Sequence, residues 1–237
     1  MRSSKLILRI QQNTMTLKML TSSFRVASQL RRPLMRTVST LSSNPDIKVF
    51  PNPSQPSSSY LLTYLDADPP NPALAVGTTT EIPPTPRSFT ENHRFLSVLA
   101  DVLARHAHED VDLRAAARAF ASPAGANLGS GGRGKRRGTA GDAAGGASDQ
   151  GGAGGGGVGG WVHLSDRRNP PDFGRIAWPE DIFGSIQVDG KGEIEGEFQP
   201  SGTYRIVTNE GILGLSPFLT GKLIARLRDE DKKERKS

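Results

Sequence analysis

The chain contains no cysteine. That removes disulfide staples, thiolate nucleophiles and every zinc or iron–sulfur centre that needs sulfur ligands. Four histidines leave little material for other metal chemistry. Aromatic residues are 6% and hydrophobic residues 35% of the 237 positions, so any buried core is expected to be small and local. No apolar run reaches the ~18 residues that a membrane-crossing helix needs, and no membrane span is expected. Acidic residues are missing from the start of the chain: none precedes Asp46.

What is present is unevenly spread. The formal charge is +6, yet Arg2, Lys5, Arg9, Lys18, Arg25, Arg31, Arg32 and Arg36 all lie before Asp46, so the remainder of the chain is slightly acidic. Residues 1–45 are also rich in Ser and Thr. Leu17, Leu20, Phe24 and Ala27 would form one apolar stripe on a helix, with Lys18, Arg25 and Arg32 beside it. This is the composition of a mitochondrial transit peptide. The import machinery can grip the stripe, and a membrane potential pulls on the cations. A secretory signal is disfavoured because Lys18 and Arg25 interrupt the apolar region it requires. Cleavage is expected in the Arg36-Thr37-Val38-Ser39 region, after Val38 or a few residues beyond, which places the protein in mitochondria, in the matrix.

The rest reads as α+β, in two small modules. Residues 46–59 carry three prolines and are expected to be a Pro/Ser-rich linker. Residues 60–122 form a mainly helical module. Tyr60–Leu65 and Ala73–Thr79 read as strands of a hairpin, and Ser88 to Glu91 fits a capping box. A helix then carries Phe95, Leu96, Leu99, Val102 and Leu103 to about Ala107, and a second runs from Asp110 to Ala121 with Val111, Leu113, Ala117 and Phe120 as packing residues. Residues 123–160 are dominated by glycine and are expected to be a disordered linker, because ordering glycine costs the most backbone entropy. Residues 161–228 read as a small antiparallel sheet with a terminal helix. Trp161–Leu164 opens it, and Ile182–Val188 alternates as a half-buried strand does. Asp189–Gly192 is a turn, runs at Glu193–Phe198 and Tyr204–Thr208 follow, and Ser216-Pro217 opens a helix striped by Leu219, Leu223 and Leu227. Residues 229–237 form a charged tail.

Most catalytic strings in the chain lack the context their chemistry needs. Gly129–Gly134 spells a dinucleotide fingerprint without a strand before it or a helix after it. Gly129–Lys135 begins a P-loop whose next position, Arg136, should be Ser or Thr to ligate Mg²⁺. Asp172-Phe173-Gly174 lacks the rest of a kinase, and the acids from Asp189 to Glu195 fail as a calcium loop because Lys191 and Pro200 occupy ligand positions. His106, His108, Glu109 and Asp110 have metal-ligand chemistry, but residues two apart on a helix face away from each other. The blander reading is that the histidines favour a helix C-terminus and Asp110 caps the next helix. Nothing gathers His163, a serine and an acid into a triad. No catalytic residue, cofactor or metal site is expected, and the chain reads as more plausibly a binding protein than an enzyme.

Two stretches remain as contact candidates. Arg133, Lys135, Arg136 and Arg137, inside the glycine tract, offer weak, salt-sensitive contacts to RNA or DNA phosphates, or merely solvate the linker. Ser165 to Ile182 holds Arg167, Arg168, Phe173, Arg175 and Trp178 among prolines. Aromatic and arginine side chains on a stiff backbone suit protein contacts; the alternative is that Phe173 and Trp178 cover the sheet as a lid. The stretch from Gly160 to Leu227, with GWVHLSDRRNPPDFGRIAWPEDIFGSIQVDG and QPSGTYRIVTNEGILGLSPFL, resembles an uncharacterised family of mitochondrial-type proteins from filamentous fungi, a resemblance that implies no activity or site residue. The function expected is that of an accessory or assembly factor, or a peripheral subunit of a mitochondrial complex that binds protein partners. The alternative is an RNA- or ribosome-associated protein using the 133–137 cluster.

Overall fold

The computed structural model describes residues 39–55, 58–122, 159–172 and 175–236, all within one compact unit, Thr37–Ser237. The glycine tract, the basic cluster 133–137, Phe173, Arg36 and Val38 lie outside the described residues.

The fold is α+β, as the sequence predicts. Five short strands, β1 (Ser39–Thr40), β2 (Lys48–Pro51), β3 (Tyr60–Thr63), β4 (Gly77–Thr79) and β5 (Phe89–Glu91), pair antiparallel in chain order. Helices α1 (His93–His106) and α2 (Val111–Ala121) follow. After the glycine tract, β6 (Gly160–Ser165), β7 (Ile182–Val188) and β8 (Gln199–Pro200) form a second antiparallel sheet, and β9 (Val207–Thr208) and β10 (Gly211–Ile212) a two-stranded hairpin. Helix α3 (Pro217–Glu234) closes the chain.

Four sequence expectations are corrected here. Residues 46–59 are not simply a linker: Lys48–Pro51 is a strand, with Ile47 at 0% and Phe50 at 5% exposure. Pro51 sits at the end of β2 and Pro53 just beyond it, where a missing N–H costs no ladder bond. The Ser88–Glu91 capping box does not form, because Phe89–Glu91 pair with Gly77–Thr79 as β5. Asn92 caps α1 instead, accepting the Arg94 N–H at 3.0 Å while its amide reaches the Ala73 and Ala75 carbonyls. Val111 is 72% exposed rather than packed. The run at Glu193–Phe198 makes one bridge, Ile194 to Val188, and the edge strand is β8.

The two expected modules share one core. Leu41, Leu62, Phe95, Leu99 and Leu113 from the first half lie in the same buried cluster as Val162, Ile186, Leu219, Leu223 and Leu227 from the second. Burying the three α3 leucines contributes about 1.5–3 kcal/mol each. Two junctions make the union specific. Asp110 caps α2 by accepting the Asp112 and Leu113 amides, and its other oxygen accepts the Ser216 hydroxyl, which itself caps α3. The residues expected to be a charged tail continue α3: Glu230 and Glu234 meet Arg94, Arg226 meets Asp101 at 3.2 Å, and Asn71 donates to Glu234 at 2.6 Å. Leu41, inside the expected leader 1–45, is 2% exposed, so the folded body begins before residue 45.

Candidate functional site

The seam between the halves opens into a cleft of about 910 Å³. Its floor comes from both sides: Leu113, Ala116 and Phe120 of α2, Val162 and Leu164 of β6, and Ile212 and Leu215. Ser43 to Asp46 and residues 166–168, 170–172 and 175–177 supply the polar rim, including Asp46, Arg167, Asp172 and Arg175. At one end of β6, Phe120 packs so tightly that a Cβ on Gly160 would lie 2.5 Å from its ring. A larger residue there would push the Phe120 ring aside.

Beside the cleft lies a buried charged cluster built on a residue that sequence reasoning offered as a surface contact. The Arg168 side chain is only 3% exposed. Its Nε donates to Asp181 Oδ1 at 2.7 Å, Nη1 to the Ile206 carbonyl at 2.8 Å, and Nη2 to the carbonyls of Glu180 and Arg205. The guanidinium also lies 5.4 Å from the centre of the Tyr204 ring. Arg168 is therefore committed internally, and a partner cannot read it directly. Asp166, 1% exposed, accepts the backbone N–H groups of Arg168 and Gly214 on one oxygen and the Tyr204 hydroxyl on the other, each at 2.9 Å. Burial pushes its carboxyl up to about 6, against the pull of Arg168 and these donors. Burial, with Asp166 beside it, also holds the Tyr204 hydroxyl well above its ordinary value.

His163 lines the cleft, and its Nδ1 lies 2.7 Å from Ser185 Oγ on the paired strand. Burial lowers its affinity for a proton, which keeps the imidazole neutral near pH 7. A neutral histidine bonded to a hydroxyl resembles part of a nucleophilic dyad, but the two residues are directly opposed in the β6–β7 register, where such pairs commonly stabilise a sheet. Tyr64 Oη is buried without a hydrogen-bond partner. Its neighbour Asn44 is committed, donating to the Leu213 carbonyl at 2.6 Å and accepting the Asp46 N–H at 3.1 Å. Burial raises the Tyr64 hydroxyl accordingly.

The other proposed contact residues separate. Arg167 is half exposed and its Nε lies 3.3 Å from Asp112. Arg175 is exposed at the rim. Trp178 is 68% exposed, so it does not cover the sheet. Ser39 lies in β1, at the edge of the first sheet. His106 Nδ1 meets Glu109 at 3.2 Å, and this hydrogen bond is the main reason the Glu109 carboxyl sits below its ordinary value. Among the described residues no helix is long and apolar enough to cross a membrane. The Arg168 cluster was missed because its partners stand 12 to 38 positions away. The only sequence signal for it was an acid, Asp166, placed immediately before two arginines.

No family model, curated protein or solved structure matches the chain.

Proposed function

We propose that the chain is a mitochondrial, non-catalytic accessory or assembly factor, or a peripheral subunit of a complex, which binds a protein partner through the segment carrying Arg175 and Trp178. The observation that carries this reading is an exposed tryptophan next to a firmly held backbone. The Trp178 carbonyl accepts the Asp181 N–H, the Thr203 hydroxyl donates to the Pro179 carbonyl, and Arg168 grips Glu180 and Asp181. A large aromatic displayed on a prearranged backbone loses little entropy on binding, and tryptophan and arginine dominate the energetics of protein interfaces. The interior polar groups support a non-catalytic role, since Asp166 and Arg168 spend their hydrogen bonds on this chain. The matrix assignment rests on the cationic, acid-free leader.

The test is recovery of tagged full-length chain from isolated mitochondria, followed by identification of co-purifying proteins. Processed chain with a defined partner set is expected. Trp178→Ala should deplete that set at least about tenfold with an unchanged melting temperature. Uncut chain in the cytosol, or an unaltered partner set in Trp178→Ala, rejects the reading.

A further inference from the structure

Resting on the reading that the protein binds a protein partner, we infer that the free edge of β6 is a strand-addition site. It takes an extended, partly apolar, basic-flanked segment of that partner. At six residues β6 is the longest edge strand of the described sheets; β1, β5 and β8 have two or three. It pairs with β7 on one side only. No backbone bond to any other described segment involves residues 160–165, so alternate residues along it turn an unused N–H and C=O outward. Open edges of this kind are normally shortened, bulged or covered, because they recruit other strands; the one register shift in the β6–β7 pair, between Leu164 and Ser165, leaves Gly160 to Leu164 in regular register.

The cleft lies along that edge rather than over one face of the sheet. Consecutive residues from Trp161 to Ser165 all line it, whereas an opening over a face would meet only alternate ones. Its ends are closed by the Phe120 ring against Gly160 and by the Gly214 carbonyl, which accepts the Arg167 N–H at 2.8 Å. That last bond begins a ladder on this side which the next residues of the chain do not continue. About five residues of extended chain, ~17 Å, fit between the two stops. Ala116 and Phe120, both half-buried, offer an apolar floor for inward side chains. Arg167 is paired with Asp112, and Arg168 with Asp166 and Asp181. The rim charges left over are Asp46, Asp172 and Arg175, a net negative set that complements a segment with a Lys or Arg at its flank. Strand addition supplies affinity through backbone bonds and specificity through the alternate side chains.

The full-length chain is panned against a display library of random dodecapeptides, and an enriched peptide is synthesised. Amide exchange across 160–165 is then followed with and without it. Alternate amides that exchange fast in the free protein should slow at least about tenfold with peptide. The same peptide N-methylated on alternate amides should bind at least about tenfold more weakly. Ala116→Trp should block binding, and Asp172→Lys, on an exposed rim position, should weaken basic peptides without altering the melting temperature. The proposal is overturned if no peptide is enriched or if the N-methylated peptide binds equally well. It is also overturned if the amides are already slow in the free chain and quicken when 124–157 is replaced by a short turn, which would make this chain its own occupant. Slowing that appears only with rising protein concentration would assign the edge to a second copy and likewise overturn it. Partner loss in Trp178→Ala alongside a bare β6 edge would defeat this inference while leaving the partner-binding reading standing.

Discussion

Asp166 and His163 titrate in opposite senses, and the body should show it. Asp166 has a folded value near 6, above its ordinary 3.8. Its contribution to stability is therefore complete below about pH 3.8 and is lost as pH rises through 6. For His163 the folded value lies below 6.5, so its contribution is present above pH 6.5 and is lost as pH falls through that lowered value. Relative to Asp166→Asn, the unaltered chain should lose stability between pH 4 and 6, at no more than about 1.4 kcal/mol per pH unit; urea melts at several pH values measure this. Arg168→Met should cost about 3–5 kcal/mol, because it strands two buried carboxylates, and thermal melts at pH 7.5 should show it. Arg168 also marks where sequence reading stops. A guanidinium inside a run of Arg, Asn and Pro reads as surface, and its burial is decided by carbonyls at 205 and 206 that no local pattern announces.

At the scale of elements, what could be read depended on whether the signal was local. Helix α3 begins at Ser216-Pro217 as its cap and first-turn proline dictate, and its Leu219, Leu223 and Leu227 stripe faces the core. Leu223→Ala should cost about 2–5 kcal/mol in a denaturant melt. The strand Ile182–Val188 and the start of β6 were equally legible, although Phe183 is buried where the alternation puts it on the open face. Strand β5 was not, because three residues with a plausible capping box carry a helical signal until Gly77–Thr79 lies beside them. Strand β2 was hidden by its prolines. The cleft was invisible for a related reason, since its walls come from residues 43–46, from α2, from 161–168, 170–172 and 175–177, and from 212 and 214–215. The glycine tract joins α2 to β6 at a point where Phe120 already touches Gly160. Replacing residues 124–157 with a short Gly/Ser turn should therefore leave the cooperative melt intact, and loop-closure entropy favours the shorter connection modestly.

At the scale of the whole molecule, the composition anticipated a modest core but not its unity. A glycine-rich interval suggests two folds on a tether, yet the apolar stripes of α1 and α3 are incomplete alone and complete each other. The N-terminal limit of the body can be measured. A chain beginning at Ser39 should melt as the full-length protein does, because β1 and the buried Leu41 are retained. One beginning at Ser43 should melt at a lower temperature, having lost Leu41 and its N–H bond to the Ile47 carbonyl. Calorimetry of the two truncations decides it.

Helix α3 follows every strand in the described chain, and the first sheet lacks part of its apolar cover until that helix docks. Native contacts that span most of the chain form slowly, so this core closes only once residues as distant as Leu41 and Leu227 share one cluster. A copy in which α3 has yet to dock therefore leaves apolar surface of the first sheet uncovered, the state in which a chain is most open to chaperones and proteases.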